Sequence, residues 1–288
     1  MIRSRIAPTP SGYLHIGNAM NFVLTWLWVR REGGILRLRI DDRDTPRSKP
    51  EHIEDIFRSL EWMGMDWDEG PQTPDEELRI YSQALRSNRY EEATRQFINT
   101  GLVYACECSR KDMHSHGCHC RDKHIPLDQP DTALRIMTPS EPITVHDVKL
   151  GPQHIILDHE MKDFIIRRRD GMTAYQLASL VDDLDYKINL IIRGDDLLSS
   201  TAAQLYLASL IDAKGFIETT FYHHALLFDE QDNKLSKSSG SPSLKAMRES
   251  GMSSSEFYIR LSELMGLQEK CTSLNEMLKI TPGSLMGI

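Results

Sequence analysis

The chain has little that would place it in a membrane or an export route. No apolar run approaches the ~18 residues that a spanning helix needs. Met1-Ile2-Arg3-Ser4-Arg5 runs to Pro8 with no apolar signal-peptide core between them, so a cytoplasmic location is expected. Positive charge is not in surplus. The 34 Lys and Arg are outnumbered by 42 Asp and Glu, for a net charge of −8. That excludes a generally basic nucleic-acid coat but leaves room for a local basic face. No internal repeat or low-complexity tract is present. Apolar residues make up 40% and charged residues 26%, which excludes collagen-like and largely disordered chains. Cysteine is scarce and uneven: four of the five fall within residues 106–120, and the fifth is Cys271. A disulfide framework would spread them through a short secreted chain. Clustered thiols read as a metal site in a reducing compartment.

What is present is patterned. The 288 residues suffice for one large or two modest domains. Residues 2–7 read as a strand ending at Pro8, and Ile35-Leu36-Arg37-Leu38-Arg39-Ile40 reads as a second, entered from Gly33-Gly34. Between them, Met20, Val23, Leu24, Leu27 and Trp28 have the spacing of a buried helix that the glycine pair stops. The opening is therefore β–loop–α–β, the start of a parallel nucleotide-binding sheet, and the fold class expected is α/β with a Rossmann-like parallel core. Residues 51–63, 76–100, 176–184 and 201–210 predict helices. Residues 155–169, 188–193 and 221–228 predict extended chain, with a polar loop at 229–242.

Two segments carry phosphate-handling chemistry. In Ala7-Pro8-Thr9-Pro10-Ser11-Gly12-Tyr13-Leu14-His15-Ile16-Gly17-Asn18, a strand feeds a helix N-terminus. Unpaired backbone N–H groups and the helix dipole would face an anion there, with His15 as a further donor. In Asp232-Asn233-Lys234-Leu235-Ser236-Lys237-Ser238-Ser239-Gly240, two lysines three apart could close on polyphosphate. Either segment alone could be a plain surface turn. In this order, about 220 residues apart, they are much more specific.

Together these segments resemble the class I aminoacyl-tRNA synthetases. His15-Ile16-Gly17-Asn18 resembles the HIGH motif, with Asn18 in place of the last His, and Lys234-Leu235-Ser236-Lys237-Ser238 resembles KMSKS. The flanks are similar to the glutamyl branch: Arg5-Ile6-Ala7-Pro8-Thr9-Pro10-Ser11-Gly12, Leu38-Arg39-Ile40-Asp41-Asp42-Arg43-Asp44, Tyr175-Gln176-Leu177-Ala178, Val181-Asp182-Asp183, Ile192-Arg193-Gly194-Asp195-Asp196-Leu197 and Gln204-Leu205-Tyr206-Leu207. The resemblance implies ATP-dependent activation of glutamate as its adenylate, with magnesium accompanying ATP. His15, Gly17, Asn18 and Lys237 would hold ATP, and His15, Gly17, Lys234 and Lys237 would serve the chemistry. Arg5, Ala7, Thr9, Asp41, Tyr175 and Arg193 would hold the amino acid, arginine being the natural fork for a carboxylate. A salt bridge to Asp195 or Asp196 is the competing role for Arg193. Asp41 departs from the family glutamate and is shorter by one carbon–carbon bond, about 1.5 Å.

Cys106-x-Cys108, then Cys120, then His124 resemble the zinc site of the shorter glutamyl-like enzymes. Cys118, His114, His116 and His119 are rival ligands, and a metal-free reactive loop is the plainer alternative. Arg167-Arg168-Arg169 is a weak RNA signal, since neighbours on a strand face opposite ways.

The resemblance divides the chain. A first core half spans 1–75, an inserted zinc-containing acceptor-binding subdomain 76–171, a second core half with the KLSKS loop 172–240, and a short helical tail 241–288. The 48 residues after Gly240 offer no room for the usual anticodon-binding domain. The expectation is a monomeric enzyme of the glutamyl-Q tRNA(Asp) synthetase family, which attaches glutamate to the queuosine base of tRNA(Asp). Delivery to another acceptor (a tRNA 3′ end, a small molecule or a carrier protein) is one alternative. A non-catalytic, zinc-stabilised RNA-binding protein is another.

Overall fold

The structure is a computed structural model that describes residues 1–43, 48–227 and 242–280. In chain order the strands are β1 (Arg3–Ile6), β2 (Ile35–Leu38), β3 (Val103–Cys106), β4 (Ala133–Ile136), β5 (Ile143–Asp147), β6 (Gly151–Ile155), β7 (Phe164–Arg167), β8 (Leu190–Gly194) and β9 (Thr220–His224). β1 and β2 pair in parallel, Arg3 opposite Ile35. β8 and β9 pair in parallel, and β9 meets β5 in parallel at Asp147 and Phe221. The Asn189 N–H donates to the Arg3 carbonyl at 3.0 Å. The Ser4 hydroxyl donates to the Leu190 carbonyl at 2.8 Å. These bonds set β1 beside β8, so the first and second halves of the chain share one parallel layer. The β5–β6 hairpin, from the range expected to be inserted, extends that layer. A separate antiparallel sheet has the order β3–β4–β7.

Helix Ile16–Arg31 is apolar nearly all round, and 11 of its 16 residues are buried. Such a helix belongs inside a core rather than on a surface. It ends where expected. Gly33 takes φ +57, and a Cβ on Gly34 would stand 2.7 Å from the Ile2 carbonyl oxygen, so the return into β2 needs glycine at both positions.

The chain after Ser243 forms helices Leu244–Glu249, Ser254–Leu264 and Leu274–Ile280. Leu244, Phe257, Tyr258, Leu261 and Met277 are buried in the same core as helix Ile16–Arg31. Tyr258 donates its hydroxyl to the Met63 carbonyl. A second core joins Tyr90, Phe97, Leu177, Val181, Tyr206 and Phe221.

The stretch read as extended over 155–169 is broken. Ile155 ends β6, Leu157–Glu160 makes one helical turn, and β7 starts only at Phe164. Residues 76–100 also divide, into a π-helical turn Glu77–Tyr81, a 3₁₀ turn Gln83–Arg86 and an α-helix Ser87–Ile98.

Candidate active site and thiol cluster

A cavity of about 460 Å³ opens at the carboxyl ends of β1 and β8, where ligands sit in open parallel sheets. Arg5, Ala7, Thr9, His15, Gly17, Asn18, Asp41, Tyr175 and Arg193 all line it. The structure thus brings together every described residue expected to meet ATP or the amino acid. Lys234 and Lys237 lie outside the described residues. On either side of them, Leu226 and Leu227 line the cavity, and Ser243 pairs with His15, which also lines it. The Leu244 N–H donates to the Leu14 carbonyl at 2.8 Å. Lys245 donates to the Tyr13 hydroxyl at 3.0 Å.

The helix N-terminus is more self-sufficient than the sequence suggested. His15 is its N-cap. The Gly17 N–H donates to His15 Nδ1 at 3.1 Å, and the His15 N–H donates to the Asn18 side-chain oxygen at 3.0 Å. This capping box gives Asn18 a structural reason to stand where the motif has histidine. The Gly17 amide is therefore engaged by the imidazole rather than held ready for an anion. Because Nδ1 accepts, the ring proton of the neutral tautomer sits on Nε2.

The other end of the cavity is a buried charge cluster. Arg5 Nε donates to Asp183 Oδ1 at 3.0 Å, and Arg39 donates to the same oxygen at 2.7 Å. Arg39 also grips Asp41, at 2.6 Å to Oδ1 and 3.1 Å to Oδ2. Gln83 bridges Asp41 and Asp182, at 3.3 and 2.7 Å. Burial pushes the Asp183 carboxyl up, but Arg5, Arg39 and Arg193 outweigh it and hold the group below the usual carboxylate range. At Asp41 burial prevails over Arg39, and its pKa is raised. Arg39, Asp183 and Gln83 were given no role from the sequence. Asp182 and Asp183 stood inside a recognised motif, but nothing local ties them to an arginine 144 residues away.

Arg193 completes the cluster. Its Nη1 donates to the Thr201 hydroxyl at 3.1 Å, and its Nη2 lies 3.8 Å from Asp183. Nε and Nη2 are buried without a hydrogen-bond partner. A buried guanidinium edge without a hydrogen bond costs free energy unless a ligand satisfies it, and this edge matches the two oxygens of a carboxylate. The structure draws the ion pair of Arg193 with Asp183, not with the Asp195 or Asp196 that the sequence offered as competitors.

The thiols form a second constellation. The sulfur atoms of Cys106, Cys108, Cys118 and Cys120 lie within 4.8 Å of one another. Cys106–Cys118 is 3.6 Å, Cys108–Cys118 3.9 Å and Cys108–Cys120 3.5 Å. A tetrahedron with metal–sulfur bonds of about 2.3 Å has edges of about 3.8 Å, so the donor set fits a tetrahedral thiolate metal. The fourth corner expected at His124 is taken by Cys118. The turn Cys120–Lys123 ends on His124 in a left-handed conformation, φ 50, exposed and outside the four-thiol group. His119 is exposed as well, and the side chains of His114 and His116 are outside the described set. The Cys120 N–H donates to Cys118 Sγ at 3.5 Å, and the Tyr104 hydroxyl stands 3.8 Å from the same sulfur. Burial pushes the Cys108 thiol up to about 12, reinforced by Cys120 and the other thiols. At Cys118 burial acts in the same direction, but the Cys120 N–H and Tyr104 outweigh it, and the pKa is lowered.

The three adjacent arginines diverge. Arg167 donates to the Leu127 carbonyl, Arg168 to Asp170 and Arg169 to the Glu107 carbonyl. They do not form one phosphate-binding face. Among the described residues no helix is long and apolar enough to cross a membrane.

The profile of the family described as tRNA synthetases class I (E and Q), catalytic domain, matches residues 1–138 and 127–282. The Glutamyl-Q tRNA(Asp) synthetase of Nitratidesulfovibrio vulgaris is 34% identical, over 93% of this chain and 87% of its own length. The protein of that name from Geobacter sulfurreducens is 35% identical, over 85% and 78%. Glutamate–tRNA ligase 2 of Halorhodospira halophila is 35% identical, over 87% of this chain and 54% of its own length. The crystal structure of glutamate–tRNA synthetase from Elizabethkingia anophelis superposes with a TM-score of 0.77 at 24% identity, over 97% of this chain and 65% of that one, a likeness of fold.

Proposed function

Because the chain belongs to the class I tRNA synthetases of the E and Q type, a family of ligases, we propose that it activates glutamate with ATP and transfers it to the queuosine base of tRNA(Asp). The observation that carries the first half is the unsatisfied Nε and Nη2 edge of Arg193, buried at the arginine-rich end of a cavity whose other end is the His15-capped helix. One end suits a carboxylate and the other a phosphate. Support for the acceptor comes from the two relatives named Glutamyl-Q tRNA(Asp) synthetase, which align over most of both chains.

No covalent nucleophile is required. The glutamate α-carboxylate attacks the α-phosphate of ATP and pyrophosphate leaves. The protein contributes position and charge. His15 donates from Nε2 to phosphate oxygen. Lys234 and Lys237 stabilise the leaving pyrophosphate, and magnesium enters with ATP. Arg5 and Arg193 receive the amino acid carboxylates, with Ala7, Thr9 and Tyr175 lining its path. Asp41, shorter than the family glutamate and already held by Arg39, reaches the ammonium through a water.

Zinc is the metal we assign to Cys106, Cys108, Cys118 and Cys120. When bound it supplies no reaction step, only a fixed fold for the region that meets the tRNA. The domain boundaries at about 75, 171 and 240 belong to this same reading.

An amino-acid panel in ATP–pyrophosphate exchange tests the proposal. Glutamate is expected to support exchange, and Lys237→Ala to slow it far more than it lowers the melting midpoint. Exchange with another amino acid and none with glutamate overturns the reading.

A further inference from the structure

Behind Arg193 runs a line of buried side chains that no family motif above singles out. Asp147 ends β5, His223 lies in β9 and Thr201 in helix Leu198–Leu210. His223 Nδ1 stands 2.7 Å from Asp147 Oδ2, and the His223 backbone N–H donates to the same oxygen at 2.8 Å. His223 Nε2 is 2.9 Å from the Thr201 hydroxyl. That hydroxyl accepts from Arg193 Nη1 at 3.1 Å. His223 and Thr201 are fully buried, Arg193 is 3% exposed and Asp147 5%.

The direction of each bond follows from its partners. A carboxylate only accepts, so the proton lies on His223 Nδ1. Burial holds the His223 pKa below its ordinary value, with Asp147 opposing, so the ring is neutral and Nε2 accepts. Thr201 has one proton to give. It goes to Nε2 at 2.9 Å in preference to the Leu197 carbonyl at 3.2 Å, and the hydroxyl lone pairs face Arg193. Every donor therefore points toward Asp147, and its negative charge polarises the line out to the guanidinium.

We propose that Asp147, His223 and Thr201 form a positioning relay, which fixes the Arg193 guanidinium by Nη1 and so presents its Nε and Nη2 edge to the substrate carboxylate. The proposal rests on the reading of the cavity as a glutamate site. A relay of this kind answers a specific problem. Asp183 already stands 3.8 Å from Nη2, and a carboxylate bonded directly to Arg193 would compete with the substrate for the same edge. Neutral groups in series hold the cation in place and compete for nothing. Thr201, His223 and Asp147 are positioning residues, since none of them lines the cavity.

The test is steady-state ATP–pyrophosphate exchange on the full chain, with thermal melts alongside. Thr201→Val is expected to raise the KM for glutamate about tenfold or more, the loss of a hydrogen bond to a charged group. The KM for ATP should stay within about twofold, and Thr201→Ser should restore the glutamate KM to within about threefold of wild type. Asp147→Asn, which keeps volume and removes charge, should give a rise of the same selectivity. An equal rise in both KM values, an unmoved glutamate KM in folded variants, or loss of a cooperative melt in both Thr201→Val and Asp147→Asn would each overturn the relay. Exchange by wild type with a different amino acid would sink the functional reading instead, and the same variants then judge the relay on that amino acid's KM.

Discussion

Around Asp183 the protein buries charges that it neutralises with its own residues, whereas around Cys118 it gathers thiols that face one another. In the first region Arg5, Arg39 and Arg193 converge on Asp183, and Arg39 also holds Asp41. Burial raises the cost of each charge, and opposite charges at hydrogen-bond distance offset it. In the second region like groups face like groups. Four sulfurs lie within 4.8 Å of one another, and the Cys108 thiol is driven up to about 12. The first arrangement is balanced from within. The second is a donor set that a bound metal would stabilise by holding the thiolates deprotonated.

The contrast is easiest to break at the thiols. Structural zinc contributes on the order of 10 kcal/mol in small zinc domains. Cys118→Ser is expected to lose bound zinc, measured on purified protein by elemental analysis, together with the stability that a strong chelator removes from wild type. His124→Ala is expected to keep one zinc per chain. Zinc retained by Cys118→Ser and lost by His124→Ala would restore the ligand set that the sequence suggests.

The next largest effect probes internal neutralisation. Asp183→Asn leaves Arg5 and Arg39 without their common counter-charge, and should cost about 3–5 kcal/mol in urea denaturation with zinc intact. A loss under about 1 kcal/mol would show that water or other groups already compensate these arginines.

Glu77 sharpens the comparison with a third solution. Both of its side-chain oxygens are buried without a hydrogen-bond partner. Burial, with Asp42 and Asp41 nearby, pushes its pKa up to about 8, so it meets burial by keeping its proton. The sign is fixed by linkage. The folded state holds a proton that the unfolded state releases near 4.5, so stability is full below that pH and falls as pH rises through about 8. The fall is about 4 kcal/mol over that window. Glu77→Gln, neutral throughout, should show a flatter dependence between about pH 5 and 8.5 in denaturant titrations. Identical pH profiles for the two proteins would contradict this.

These particular residues also show where sequence reading stops. Helix Ile16–Arg31 was legible because Met20, Val23, Leu24, Leu27 and Trp28 keep helical spacing up to a glycine stop. The strands β1, β2 and β8 were legible as short apolar or alternating runs between breakers. The cavity wall was legible through the resemblance to the glutamyl branch, which implied each of these residues by its place in a motif. The Asp183 cluster was not, because its members come from distant segments and each looks locally like a surface charge. Cys118 was not distinguished from His124, since ligand types crowd residues 106–124 and only the backbone path decides which sulfurs converge. The break at Leu157–Glu160 was hidden by apolar residues on either side that suit strand and turn alike.

The acceptor is decided by where the glutamyl group ends up. Purified protein should be given ATP, radiolabelled glutamate and tRNA(Asp), with and without queuosine, and the labelled nucleoside identified after digestion. Label is expected on queuosine in the modified tRNA(Asp) and none on the unmodified tRNA. Label on the terminal adenosine of tRNA(Glu) would contradict it.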